Sequence, residues 1–298
     1  MLTRSASSDS RPLYRVAGLL RGALIAVTVT FALAACSVGF VYDRLDLLIA
    51  WYVSGYVTLD DEQEARLRTA VRDTLAWQRD TQVPRYVSWL EEMARDADRP
   101  QSVEEISRRY DQAVVMADDF LAYVTPATAE VFRGLSARQI AELRKSLAEE
   151  NDELWVEYAG DSPGERRARR QASAEKGIRR FVGRLTPAQR DLVAAELAGL
   201  DDLSDQWMNR RRFWQEQFVV LLESPPPGDA FGSALRNLAL QPNQFDDGAY
   251  RLRVEHNRGI ILAMVAAVSA SLSDEQRRHL KRKFGEYAAD LRKLASSA

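Results

Sequence analysis

One cysteine and two histidines in 298 residues exclude much of the chemistry a chain of this length can carry. A single thiol closes no intramolecular disulfide. His256 and His279 stand far apart in sequence and do not make the clustered ligand set that a metal needs; no calcium-loop pattern occurs either. The chain lacks a Gly-x-Ser-x-Gly elbow and a glycine-rich phosphate loop. Its carboxylate pairs, Asp118-Asp119 and Glu149-Glu150, are adjacent in sequence. On a helix they diverge by about 100°, so they read as solvated faces rather than an acid/base dyad. No metal and no cofactor is expected, and enzymatic action is not the expectation. The formal charge is only −2, which provides no bulk attraction to nucleic acid or anionic lipid. Glycine (15) and proline (10) are sparse inside long stretches rich in Ala, Leu, Glu, Gln and Arg. No alternating run is long enough for a strand. The expected fold is therefore all-α.

The strongest positive signal lies at the start. Arg4, Arg11, Arg15 and Arg21 precede an apolar run over residues 22–35, and small residues follow. This is the layout of an export signal, and the run is shorter than the ~20 residues of a spanning helix. Leu33-Ala34-Ala35-Cys36 resembles a bacterial lipobox. The resemblance implies cleavage between Ala35 and Cys36, diacylation of the Cys36 sulfur and N-acylation of the new terminus. Ser37 follows where an aspartate would favour inner-membrane retention, so the implied address is the periplasmic face of the outer membrane. Several acyl chains, each contributing about 0.8 kcal/mol per buried methylene, make such a tether effectively permanent.

Organisation follows from periodicity. Residues 36–58 form a lipidated N-terminus and a short helix with Leu45, Leu48, Ile49, Tyr52, Val53 and Tyr56 on one stripe. Trp51 and Tyr52 suit either a lipid interface or packing on the body. Two helical subdomains, 59–160 and 165–298, or one continuous domain from 42 to 298, complete the chain as an antiparallel bundle of roughly nine or ten helices. Pro84 is expected to begin a new helix, and Thr125-Pro126 to form a turn. Residues 186–222 read as one long segment that Gly199 to Asp202 can interrupt. The run 260–270, apolar all round, is expected to be the most buried helix. The final helix carries Leu280, Phe284, Tyr287 and Leu291 inward.

Four segments share one start: Leu59-Asp60-Asp61-Glu62-Gln63, Leu135-Ser136-Ala137-Arg138-Gln139, Leu185-Thr186-Pro187-Ala188-Gln189 and Leu272-Ser273-Asp274-Glu275-Gln276. In each, Asp60, Ser136, Thr186 or Ser273 can cap a helix while Gln63, Gln139, Gln189 or Gln276 reaches back to the cap's amide. The unequal intervals exclude a regular solenoid. These copies also resemble the Leu-Thr-x-x-Gln motif of small periplasmic stress proteins, all-helical chaperones and signalling inhibitors that cradle unfolded clients. Only the copy at Thr186 keeps the threonine.

A broader likeness spans most of the mature chain. Tyr42-x-x-Leu45-Asp46-x-Leu48, Val57-x-Leu59-x-x-x-Gln63, and Trp77-Gln78-Arg79 followed by Pro84-x-Tyr86 resemble an uncharacterised family of Gram-negative lipoproteins carrying a domain of unknown function. Members often place a histidine between the Trp and the Arg. Here Gln78 stands there, which points that position towards packing or binding. The likeness implies a fold and a location but no activity.

Trp77, Arg79, Arg85, Tyr86 and Trp89 form the candidate binding patch, because aromatics and arginine dominate binding hot spots; a packed helix corner is the alternative. The basic runs 166–170, 210–212 and 277–283 read as helix-surface ion pairs or as a site for an anionic partner. The expected action is protein binding by an envelope protein, chaperone-like or accessory in envelope homeostasis. A structural adaptor in one envelope assembly is the alternative, and a hydrolase of lipid or cell wall the third. Expected partners are the membrane, through the Cys36 acyl chains, and an envelope protein or unfolded client, without nucleic acid.

Overall fold

A computed structural model describes residues 44–159, 161–240 and 248–296; the lipidation calls at Ala35 and Cys36 lie outside them. The described residues are helical, with no strand among them. In order the helices are α1 (Leu45–Ser54), α2 (Asp61–Trp77), a π-helical turn (Gln78–Gln82), α3 (Val83–Asp96), α4 (Val103–Arg133), α5 (Ala137–Ala159), α6 (Pro163–Val182), α7 (Pro187–Leu197), α8 (Ser204–Glu223), α9 (Ala230–Leu240), α10 (Gly248–Ala270) and α11 (Asp274–Ser296).

The four Leu-x-x-x-Gln starts pair with one another. Gln63 and Gln139 exchange amide hydrogen bonds, Gln63 Nε2 donating to Gln139 Oε1 at 3.2 Å and Gln139 Nε2 to Gln63 Oε1 at 2.6 Å. Each also donates to a backbone carbonyl two residues ahead of the other's cap, Gly134 and Thr58. Gln189 and Gln276 repeat the arrangement, both amide bonds at 2.9 Å and the carbonyls belonging to Ser271 and Arg184. Each Oε1 meanwhile accepts from its own cap's backbone amide. All four glutamines are buried, and this pairing gives every one of them partners for both donor and acceptor, as interior amides require. The capping boxes thus join helix starts in twos: α2 to α5, and α7 to α11. Two further boxes, Ser102 with Glu105 and Ser162 with Glu165, start α4 and α6 without such a bridge.

Each bridge borders an apolar core. Around the first, Val57, Ile140, Leu143, Phe218 and Phe231 gather from the end of α1, α5, α8 and α9. Around the second, Leu185, Val193, Leu197, Met264 and Val268 join α6, α7 and α10. A third cluster, Val83, Val87, Leu90, Tyr287 and Leu291, is the α3–α11 contact. Helix α4 is long enough to serve both ends, with Ala129 in the first core and Ala113, Met116 and Ala117 buried further towards its start.

Several sequence expectations give way. Helix α4 runs through Pro126 instead of turning there. Pro126 has no N–H for the carbonyl of Ala122; Thr125 Oγ1 donates to Leu121 O and Thr128 Oγ1 to Val124 O on either side of it, and the buried Thr125, Ala129 and Val131 hold the segment in the core. Pro84 stands at the start of α3 as expected, although no break in the chain path precedes it. The wider π turn over Gln78–Gln82 carries the helical path from α2 into α3, with Pro84 in the first turn, where its missing donor costs nothing. Residues 186–222 are two helices, interrupted around the Gly199 to Asp202 stretch that the sequence offered as a break, where Asn257 bridges the backbone amide and carbonyl of Asp201. The 260–270 run is not the most buried helix: Ile261 is 45% and Val265 39% exposed. Glu150 is not a solvated side chain. It holds Arg211 at 2.5 Å and accepts from Tyr56 at 3.0 Å, while Arg211 Nε donates to Asn151 at 2.7 Å.

Candidate functional site: an apolar cavity between five helices

The second half of the body does not close on itself. Helices α3, α4, α6, α10 and α11 enclose a cavity of about 530 Å³. Each wall is a stripe at three- and four-residue spacing, the helical period that puts side chains on one face. Tyr86, Trp89, Leu90 and Met93 come from α3; Ile106, Ala113, Met116 and Ala117 from α4; Leu280, Phe284, Tyr287 and Leu291 from α11. Helix α6 contributes Ala174, Gly177, Ile178, Phe181 and Val182, and α10 adds Met264, Val265 and Val268.

Residue size explains the space. Where stripes converge, large side chains on facing helices would normally interdigitate to crystal-like density. Here Ala113 and Ala117 on α4 share the void with Ala174 and Gly177 on α6. A Cβ placed on Gly177 would meet nothing within 4 Å. Exposed Val265 and Gly177 mark where the wall is open. Three of the chain's five methionines, Met93, Met116 and Met264, line the cavity, and their unbranched, polarizable side chains adapt to irregular occupants.

Polar lining groups gather at one end, where α3 and α10 finish and α4 and α11 begin. Arg109 binds Asp96 at 2.8 Å and also Glu92; Arg99 binds Glu105 at 2.7 Å and Asp96 at 3.6 Å. Gln101 N donates to Ser269 Oγ at 2.9 Å. Hydrogen bonding to the Arg99 guanidinium, with the Ser102 backbone amide, holds the Glu105 carboxyl down to about 2. On the opposite stretch of wall, burial raises the Tyr86 phenol above its ordinary range, and a hydrogen bond with Gln78 works against that rise. The Trp89 indole Nε1 is buried without an acceptor.

The five residues of the expected patch do not form one surface. Tyr86 and Trp89 share the cavity wall. Trp77 lies flat on Tyr123, ring centres 3.9 Å apart, with Phe120 beside it. Arg85 faces outward, paired with Asp119 at 2.6 Å and hydrogen-bonded to Gln82. Gln78 is buried behind Tyr86, and Arg79 is half-buried and engaged. The basic runs are largely matched by acids: Arg166 and Arg170 to Asp202, Arg169 to Asp161, Lys281 to Asp98. Arg210 instead lies over the Tyr250 ring. Among the described residues no group of His, Asp and Glu is placed to hold a metal ion.

Sequence reasoning located the α11 stripe and Ile178, Phe181 and Val182 without seeing that they face a void. The available signal was the alanines and glycine at core-facing positions of α4 and α6, together with the clustering of methionine.

Residues 55–251 match a family described as "Family of unknown function (DUF6279)". No curated protein matches the chain, and no solved structure does.

Proposed function

Since the chain belongs to that family, whose description assigns no activity, we propose a function from location and geometry: a lipid-anchored protein of the outer membrane's periplasmic face that binds, in its helical body, the apolar part of a partner. The cavity carries this reading. Its lining is almost entirely apolar, and its volume of about 530 Å³ falls within the ~300–1,000 Å³ usual for a binding site.

The membrane side of the reading is supported by α1. Its Leu47, Leu48, Trp51 and Tyr52 fall on one face, all exposed, with Trp51 at 75%. Helix α1 begins nine residues after Cys36, a reach of about 30 Å at most, and the face carries the residue types that settle at lipid interfaces. Among the described residues no helix is long and apolar enough to cross a membrane; the proposed attachment, through Cys36, rests on the Leu33-Ala34-Ala35-Cys36 sequence. Binding is favoured over catalysis because the charged groups on the wall are spent on one another.

The test is native mass spectrometry of the lipidated protein released from outer membranes, beside the variants Ala174→Leu and Gly177→Leu. We expect wild type to carry an apolar molecule in addition to its own acyl chains, and the filled variants to have lost it. Identical masses in all three would refute the cavity as the binding site. Absence of palmitate from wild-type Cys36 would refute the anchor.

A further inference from the structure

The cavity's chemistry narrows its occupant. Three classes can present an apolar surface to it: a stretch of unfolded polypeptide, a compact apolar solute, or a hydrocarbon tail. A polypeptide brings a backbone N–H and C=O with every residue, and each one left unsatisfied away from water costs on the order of 1–3 kcal/mol. The wall has little to offer them. Its polar groups, Asp96, Arg99, Gln101, Arg109 and Ser269, sit together at one end and are bonded among themselves or to Glu92 and Glu105. An engineered cavity of ~150 Å³ suffices for a benzene-sized solute, and this one is more than three times as large. A space of this size, open on one side, admits a hydrocarbon tail.

We propose that the cavity between α3, α4, α6, α10 and α11 binds the tail of a single-chain acyl lipid. The carbon chain lies against Met93, Met116, Met264, Phe181 and Phe284. The lipid's carboxyl or ester carbonyl lies at the buried Trp89 indole N–H, a lining donor without an acceptor. A single tail is assigned because, among the described residues, the wall offers one buried donor without an acceptor, Trp89 Nε1, to one acyl carbonyl. The adaptable thioether side chains suit a flexible polymethylene better than a rigid solute. This assignment rests on the cavity being a binding site, as proposed above, and names its ligand.

A palmitate analogue bearing both a photoactivatable diazirine and an alkyne tests it in cells making the full chain. Metabolic incorporation reports acylation of Cys36 without light, and light adds covalent adducts wherever the tail rests. Expected are light-dependent adducts on peptides from α3, α4 and α10, with masses of a single-tailed lipid. Adducts should drop at least tenfold in Ala174→Leu and in Gly177→Leu, and several-fold in Trp89→Phe. Undiminished adducts in both filled variants would overturn the site. Adducts carrying a two-tailed phospholipid, or the Cys36 chain of the same molecule, would overturn the single-tail assignment. Labelling at Cys36 without any light-dependent adduct on the cavity helices would overturn the acyl ligand while leaving the anchor standing; the converse pattern would overturn the anchor alone.

Discussion

Filling the cavity by one side chain should stabilise the protein and blind it at once. Ala174 begins the α6 stripe that continues through Gly177, Ile178 and Phe181, and lines the space. Leucine there adds three carbons, about 2.4 kcal/mol at ~0.8 kcal/mol per buried carbon. Fixing the new side chain takes back ~0.5–1 kcal/mol. The net is about 1.5 kcal/mol, or a midpoint of thermal unfolding higher by about 3–6 °C for a domain of this size. Ala172→Leu is the control: it sits on the exposed face of the same helix, with the same change in helix propensity and no burial. The assay is thermal unfolding of lipidated protein, washed free of exchangeable lipid and held in an amphipathic polymer, with and without added palmitate. A ligand at a hundred times its Kd adds ~2.7 kcal/mol to a protein that binds it. Palmitate should therefore raise wild type and Ala172→Leu but not Ala174→Leu, reversing the order seen without it. If Ala174→Leu is neutral or destabilised in the lipid-free protein, the wall is packed and the reasoning fails at its first step. If it is stabilised yet responds to palmitate like wild type, the space exists but is not the site.

The paired glutamines should outweigh their caps: Thr186→Ala should cost about 1 kcal/mol, the usual value of a lost cap, and Gln189→Ala about 3 kcal/mol, because it leaves Gln276 and the Ser271 carbonyl short of partners. Urea unfolding of the two variants reads the difference, and equal costs would deny the bridge. Arg211→Met should destabilise by roughly 3–5 kcal/mol by stranding the half-buried Glu150; adding Glu150→Gln should recover a measurable part in the same assay. Glu105 sets an acid limit on the start of α4. Its carboxyl is held below the ordinary range, so its contribution is present above the unfolded value near pH 4.5 and is lost as pH falls towards about 2. Glu105→Gln should flatten the stability profile across that window, and an unchanged profile would refute the assignment. Finally, Trp51→Phe in the lipidated protein should remove most quenching by brominated phospholipids if α1 rests on the bilayer; quenching that persists would place the contact elsewhere.

What the sequence disclosed depended on how local each cause was. Capping is decided within four residues, so Asp60, Ser136, Thr186 and Ser273 announced helix starts that the structure bears out. Helical class followed from composition and period. Pro84 opens α3 as expected, but Pro126 misled because a proline's effect depends on what surrounds it, here a core that α4 must cross. Apolar runs misled in a similar way: the 260–270 segment has apolar side chains all round, yet its neighbours cover only part of it, and Val265 looks onto a cavity instead of a partner.

The glutamine pairs and the cavity share a reason for being illegible, since each is a relation between distant segments whose members look ordinary alone. A glutamine three residues after a cap is already explained by the cap, and nothing within its own helix says that a second glutamine, from another helix start, will meet it amide to amide. An alanine in a helical stripe is likewise explained by helix propensity. Only when Ala113, Ala117, Ala174 and Gly177 are placed around one space does small size become a property of the site. The same geometry explains how the site can stay open. The Gln189–Gln276 bridge ties α7 to α11 and anchors the core formed with α6 and α10, while α11 is packed closely along α3. The cavity walls are therefore held along their edges by large side chains, Leu90, Tyr287 and Leu291 in one cluster and Met264 and Val268 in the other, so its small residues need not supply the packing that elsewhere holds helices apart.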